Sequence, residues 1–333
     1  DDRSSASEID TRRRVMGSEH VVRRVRRCED SGDARDVIAV LTISQYRDDV
    51  DVQAECLRVL GNVCAHAIEN GRLVGLMSGA IQAVVDAMRR HGGSEDVQEH
   101  GCEALGVMCY DDAENRRLAG RSGAIEAAVD AMTHHGENEN VQGSGCGALM
   151  IMCSGNDENG RLAGRHGAIE AVVDAMKHHG ENEKVQENGC GALMIMCSGK
   201  DENKRLAGRY GAIEAVVDAM RGYGGNEKVQ ENGCGALGHM CHDNDENGRL
   251  AGRHGAIQAV VDAMRGYGGN EKVQENGCGT LMIMCFDDAE NRHLAGRSGA
   301  IEAVVDAIKD HGENENVQES GCLALGFMCY DDA

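Results

Sequence analysis

Between Val185 and Lys228 the apolar residues fall into two helical stripes separated by a short polar stretch. In Val185–Cys197 they stand at Val185, Cys190, Leu193 and Met196/Cys197, with the small Gly189 and Ala192 on the same side. That three-to-four spacing predicts one buried helix face. In Ala212–Met220 the positions Ile213, Val216, Val217 and Met220 repeat the stripe, with Glu214 and Asp218 on the opposite face. The intervening Asn203–Arg209 predicts about two helical turns, Leu206 inward and Arg205 and Arg209 outward. The Tyr210-Gly211 pair then breaks that helix, since glycine turns at least steric cost. No period-two alternation appears anywhere. The predicted unit is one short helix followed by two longer ones.

The opening Val-Gln of this unit recurs at Val97, Val141, Val185, Val229, Val273 and Val317, each step 44 residues, and a diverged copy begins at Val52, 45 residues earlier. A fixed period of this size is the signature of stacked repeats, in which each unit buries its face against its neighbours. The expected units lie near 33–65, 66–109, 110–153, 154–197, 198–241, 242–285 and 286–333, the first atypical. Residues 1–32 read as a polar tail and a basic capping helix. No proline- or serine-rich linker interrupts the array, so it reads as continuous.

The order of helices, the Val185, Gln186, Gly189, Ala192 and Leu193 pattern, and the Gly211-Ala212-Ile213-Glu214 opening of the second helix resemble the armadillo repeat. The flavour is similar to armadillo units of leucine-rich-repeat kinase N-terminal regions and of protist armadillo arrays. The resemblance covers roughly residues 33–333. It implies an all-α, right-handed α-solenoid of about seven three-helix repeats, whose third helices line a concave groove. It also implies a non-enzymatic protein-protein interaction scaffold. In importin-α a tryptophan, with an asparagine four residues later, lines that groove. Here the tryptophan positions hold Arg58, Glu103, Gly147, Gly191, Gly235, Gly279 and Leu323, and of the asparagine positions only Asn62 matches. Nuclear-localisation-signal binding of the importin kind is not expected.

The stripe that replaces the ladder carries the candidate site. Glu99, Glu187, Glu231, Glu275 and Glu319 run beside Asn188, Asn232 and Asn276; next come glycines, then Met194/Ile195, His239, Met282/Ile283 and Phe327. An acidic rim over an apolar floor suits a basic or amphipathic segment. The groove residues are therefore Glu187, Asn188, Ile195, Glu231, Asn232, His239, Glu275, Asn276, Ile283 and Phe327. The other reading has Met and Ile packed between adjacent third helices and the acids merely solvated. Of the mid-helix glycines, Gly189 is expected to serve close helix packing and Gly191 to leave bare backbone towards a partner.

Charge narrows the partners. Lys and Arg number 34 against 56 Asp and Glu, a net −22, with 2% aromatics and no tryptophan. A field of that sign repels phosphate and the chain offers few stacking rings, so no nucleic-acid partner is expected. The one dense basic stretch holds Arg12, Arg13, Arg14, Arg23, Arg24, Arg26 and Arg27. It reads either as a contact for an acidic partner or as a cap whose arginines meet the protein's own acids. An alternative function is thus a structural subunit held in a larger assembly through its ends and this helix, and the want of a polar cap at the C-terminal repeat suggests a fragment or such an assembly.

Fifteen cysteines include six pairs seven residues apart, from Cys102/Cys109 to Cys322/Cys329. Seven residues is two turns, about 10 Å along a helix, too far for a bridge. Clustered C-x-x-C ligands are missing, so small buried hydrophobes are the expected role and a reducing, intracellular compartment the expected setting. A thiol- or metal-responsive regulator is the remaining alternative. Asp243 to Gly248 matches half of a calcium loop, but His254 stands where the closing glutamate belongs, so helix capping is expected there. The His134/His135 and His178/His179 pairs become Gly-Tyr in the next two units, which a metal ladder should not do. Arg117/Arg121 and their repeats would pair with Asp130, Asp174, Asp218 and Asp262. No nucleophile elbow, P-loop, HExxH or dinucleotide fingerprint is present, so neither catalysis nor a cofactor or metal is expected. No signal peptide and no apolar run long enough for a membrane span appears.

Overall fold

A computed structural model describes residues 18–66, 68–77 and 79–330, and the regular structure among them is all helical. A helix over 18–31 (α1) precedes α2 (Ala34–Thr42) and α3 (Val50–Ala65). Six triplets follow. Their first helices are α4 (Ile68–Leu76), α7 (Ala113–Ser122), α10 (Asp157–Arg165), α13 (Asp201–Tyr210), α16 (Asp245–His254) and α19 (Ala289–Ser298). The second helices are α5 (Ala80–Arg90), α8 (Ala124–His134), α11 (Ala168–His178), α14 (Ala212–Gly222), α17 (Ala256–Gly266) and α20 (Ala300–Asp310). The third are α6 (Glu95–Cys109), α9 (Glu139–Cys153), α12 (Glu183–Cys197), α15 (Glu227–Cys241), α18 (Glu271–Cys285) and α21 (Glu315–Met328). The chain forms two compact units, divided between Asn159 and Gly160.

Each junction has its own chemistry. Between first and second helices, Gly123, Gly211, Gly255 and Gly299 turn the chain at φ of 75° to 79°, where a Cβ would be strained. Each third helix is started by a side chain: Ser94, Asn138, Asn182, Asn226, Asn270 and Asn314 accept the backbone N–H three residues on. After the third helix the chain passes through a left-handed residue, Gly155 and Gly199 in two repeats but Asp111, Asp243 and Asp287 in three others. Aspartate is among the few side chains that tolerate that region.

The apolar stripes are the core, as predicted. Val185, Cys190, Leu193, Met196 and Cys197 are fully buried, and so are Ile213 and Val216. On the first helix the expectation needs correction. The buried residues of α13 are Asn203, Lys204 and Ala207, and Leu206 is only half-buried.

That asparagine recurs as a hydrogen-bond ladder. Asn247 Nδ2 donates to Met240 O at the end of its own third helix (2.8 Å) and to Lys204 O of the preceding first helix (2.9 Å). Asn203 does the same to Met196 O and Gly160 O, and Asn291 to Met284 O and Gly248 O; in the other unit, Asn159 serves Met152 O and Arg116 O. The amide sits so close to the preceding first helix that a Cβ at Gly208 would lie 2.1 Å from Asn247 Oδ1. The glycine at this position of the first helix (Gly75, Gly120, Gly164, Gly208 and Gly252) is therefore a steric requirement of the next repeat's asparagine.

Glutamine makes the second ladder. Gln230 Nε2 donates to Met220 O and Tyr223 O, both at 2.9 Å, and Gln98, Gln142, Gln186, Gln274 and Gln318 repeat the pair. These carbonyls end the second helix and have no partner within it. Close packing at Gly189 holds as expected: a Cβ there would lie 2.5 Å from Met176 Cγ.

A buried carbonyl left without its donor costs roughly 1–3 kcal/mol, and forcing a methyl into a filled space costs about as much. Asn247→Ala should therefore destabilise the fold by roughly 2–4 kcal/mol and Gly208→Ala by roughly 1–3 kcal/mol. The double variant should lose less than the sum, because the alanine methyl then enters the space the amide left. Urea unfolding followed by circular dichroism checks both; strict additivity would refute the shared contact.

Candidate functional site

The third helices carry ten of the predicted site residues, which fall into three groups. The asparagines are structural: Asn232 Nδ2 donates to Glu187 O (3.2 Å) and Asn276 Nδ2 to Glu231 O (3.1 Å), tying each third helix to the one before. Asn188, at the same repeat position, is half-buried.

The glutamates remain at the surface, tempered by lysines. Glu231 meets Lys228 Nζ and Glu275 meets Lys272 Nζ, each at 2.9 Å, with both lysine side chains about 60% exposed (60% and 63%). Hydrogen bonding to the carboxylate raises each lysine's pKa. Glu187 is half-buried at the same height. His239 is exposed on the same row, and desolvation against the packed helix ends, then His242, Lys200 and Lys204, hold its pKa below the ordinary value.

The apolar positions divide. Ile195 and Met194 are half-buried, and a Cβ at Gly235 would lie 2.5 Å from Met194 Sδ and 3.3 Å from Asn276 Nδ2. Gly235, the repeat counterpart of Gly191, is thus covered by its neighbours, whereas a Cβ at Gly279 would meet only Ser320 Oγ at 3.9 Å. Ile283 and Phe327 instead line a cavity of about 380 Å³ at the ends of α15, α18 and α21. Met282, Phe286, Leu323 and Cys241 line it too, with Asp243, Asp245, Asp287 and Asp288 and one guanidinium, Arg249. The Phe286 and Phe327 rings meet edge to face, centroids 5.0 Å apart at 83°. Sequence reasoning named Phe327 and missed Phe286, which follows the predicted helix; the signal was that the chain has only two phenylalanines, 41 residues apart, close to one repeat.

The described basic residues near the N-terminus stay exposed but are partnered within the chain. Arg12, Arg13 and Arg14 lie outside the described residues. Arg24 pairs with Asp36 (2.9 Å), Arg26 with Glu55 (2.8 Å) and Arg23 with Glu19 (3.5 Å), while Arg27 donates to Arg23 O. Val25 and Val21 of α1 are buried. Glu29 of α1 accepts from both Arg58 (3.0 Å) and Asn62 (2.7 Å). The one asparagine that matched the groove pattern is therefore occupied by the chain's own N-terminal helix.

Other charged motifs resolve structurally. Arg117 pairs with Glu114 and Arg205 with Glu202 within their own helices, and Asp262 accepts from Gln258, so the expected Arg-to-Asp stripe does not form at those residues. Lys177, Arg221 and Arg265, on the second helices, donate to carbonyls at or next to the C-terminus of the following first helix. The histidine-to-tyrosine change has a plain cause: His135 Nε2 contacts Gly92 O and His311 Nε2 contacts Gly268 O, both at 2.7 Å, while Tyr267 Oη donates to Gly224 O at 3.2 Å. Either side chain supplies the donor. In the half calcium loop, Asn244 caps α16 by accepting from Asn247 N, with Asp245 and Glu246 in the first turn. On α6, Glu99, His100 and Glu103 bring their ligand atoms within 4.8 Å of one another, the one such group among the described residues; His100 already engages Glu103 at 3.4 Å.

No family model matches the sequence, and no curated protein matches it. Solved structures do. A designed armadillo repeat protein is 19% identical over 74% of this chain and 99% of its own, with a TM-score of 0.64. Another, solved in complex with the peptide (KR)4, is 18% identical over 74% and 99%, TM-score 0.60. The structure describing a phosphorylation switch in the interaction between cadherin and beta-catenin is 14% identical over 89% of this chain and 56% of its own, TM-score 0.72. With three helices per 44-residue period, these likenesses define the fold as an all-α armadillo-repeat solenoid. No helix among the described residues is long and apolar enough to cross a membrane.

Thirteen free thiols from Cys28 to Cys285 are buried, as the sequence suggests, whereas the last of the six pairs, Cys322 and Cys329, is exposed. Desolvation pushes Cys102, Cys146, Cys197, Cys234 and Cys278 up to about 12. At pH 8 a thiol of that pKa is thiolate in about one molecule in ten thousand. A native-state titration with a thiol-specific disulfide reagent at pH 8 should therefore show two prompt equivalents and thirteen released only on unfolding. More than two prompt equivalents would put reactive chemistry in the core.

Proposed function

We propose that the protein is a non-enzymatic scaffold that binds a basic or amphipathic segment of another protein along its third-helix face. Glu187, Glu231 and Glu275 are the charged contacts, and Ile195, Ile283 and Phe327 the apolar ones. His239 adds a neutral polar contact, and Asn232 and Asn276 hold the helices in register. The observation that carries this reading is the acidic, partly apolar surface at the ends of α15, α18 and α21, where four aspartates and one arginine share a lining with Met282, Ile283 and Phe327. The net charge of −22 draws a cationic segment to it. The lysines on the rim are a small obstacle. An exposed ion pair contributes about 0–1 kcal/mol, so an incoming guanidinium exchanges readily for Lys228 or Lys272. A designed armadillo repeat protein of similar fold was solved in complex with the peptide (KR)4, which supports this reading.

The test is fluorescence anisotropy with labelled (KR)4. Saturable binding is expected, weakening about tenfold or more as salt rises from low to physiological strength and beyond. Glu231→Lys with Glu275→Lys should weaken it at least tenfold further. Absence of saturable binding, or indifference to that charge reversal, would refute the reading.

A further inference from the structure

We propose that the cavity at the ends of α15, α18 and α21 is an anchor pocket. It takes one bulky apolar side chain, aromatic or long aliphatic, from a partner segment whose flanking residues are basic. This deepens the groove reading above and rests on it for the partner's charge.

Three observations converge on the pocket. First, its pair of adjoining rings departs from the repeat. The position of Phe286 is Tyr110, Ser154, Ser198 and His242 in the preceding repeats and Tyr330 in the next, and that of Phe327 is Ile195, His239 and Ile283. The chain's only two phenylalanines thus replace different residues in adjacent repeats and meet each other at 5.0 Å. Neither ring is needed to fill a core: Phe286 is 56% exposed. Second, the size selects the occupant. About 380 Å³ lies at the low end of ligand pockets. A helix about 10 Å across cannot enter, whereas one large side chain with its backbone fits. The lining also includes Met282, whose flexible thioether adapts to the shape of what enters.

Third, the charges define the flanks. Asp243 and Asp287 are held at the surface by left-handed turns at φ of 52° and 48°, where two other repeats have glycine. Asp245 and Asp288 stand at the N-termini of α16 and α19 beside the same cavity. Acidic flanks on a partner would be repelled, and basic flanks attracted. The rings pack edge to face against each other and do not present several faces to one centre, which disfavours a quaternary ammonium and favours an apolar side chain.

The experiment compares two labelled heptapeptides, each with three basic residues on either side of a central tryptophan or a central alanine. The whole chain, with its methionine methyls carbon-13 labelled, is titrated with each. The tryptophan peptide should bind at least tenfold tighter than the alanine peptide and should move the Met282 methyl resonance, identified by its loss in Met282→Leu. Phe286→Ala should abolish the preference while leaving the alanine peptide's Kd unchanged, and Phe327→Ala, which also removes a groove contact, should abolish the preference as well. Phe286 is exposed enough that its removal leaves the fold intact, and the peptide-side change tests the pocket in the unaltered protein. Equal binding of the two peptides, or a preference that survives both phenylalanine variants, overturns the pocket and leaves the groove reading standing. If no basic peptide binds, (KR)4 included, both fall. A tryptophan preference that persists while Glu231→Lys with Glu275→Lys leaves both peptides' Kd unchanged keeps the pocket and removes the groove.

Discussion

A buried side-chain amide shared between repeats is the interaction on which the structure depends. Every helix end leaves carbonyls without partners, and a chain built of short helices has many such ends. In a globular core most of them reach water; here the third-helix ends at Met196, Met240 and Met284 are covered by the next first helix. Asn203, Asn247 and Asn291 each satisfy one of those carbonyls and one on the preceding first helix. One amide group thereby couples intra-repeat closure to inter-repeat stacking. The glutamine ladder repeats the device at the second-helix ends, and His135, His311 and Tyr267 repeat it again nearer the surface. Apolar burial supplies most of the stabilisation, but these amides set the spacing at which burial is possible.

That economy also decides what is left for function. Residues tied to backbone in every repeat are spoken for, which removes Asn232 and Asn276 from partner recognition and gives them a scaffolding role. Arg24 and Arg26 pair with Asp36 and Glu55 while staying exposed, so part of the positive charge of α1 is balanced within the chain. What stays available is the glutamate row with its exchangeable lysines and the cavity beside Phe286 and Phe327. The glutamate row repeats from unit to unit, whereas the cavity lies where the repeats vary, and variation within a periodic scaffold is where specificity has room to arise.

Much of this was legible in the chain itself. The 44-residue period, the all-helical class, the two apolar stripes, the buried cysteines and the close packing at Gly189 all follow from spacing and residue size. Other features were not. Asn203 looked like the polar start of a short helix, and Leu206 looked like its anchor; the amide is inside because two carbonyls from other helices converge there. The Ala-Gly pair gave no hint that its glycine makes room for an amide 39 residues later. Met194 and Ile283 occupy neighbouring positions of the same repeat pattern, yet one covers Gly235 and the other lines a cavity.

Periodicity and hydrophobicity are local properties, readable along one strand of text, and they determined the helices, their order and their inward faces. Which polar groups are buried, which charges cancel and where an open apolar surface remains depend on atoms brought together from repeats about 40 residues apart. Those were decided only by the tertiary structure, because a hydrogen bond or a van der Waals contact acts over about 3–4 Å and distance along the chain says nothing of it.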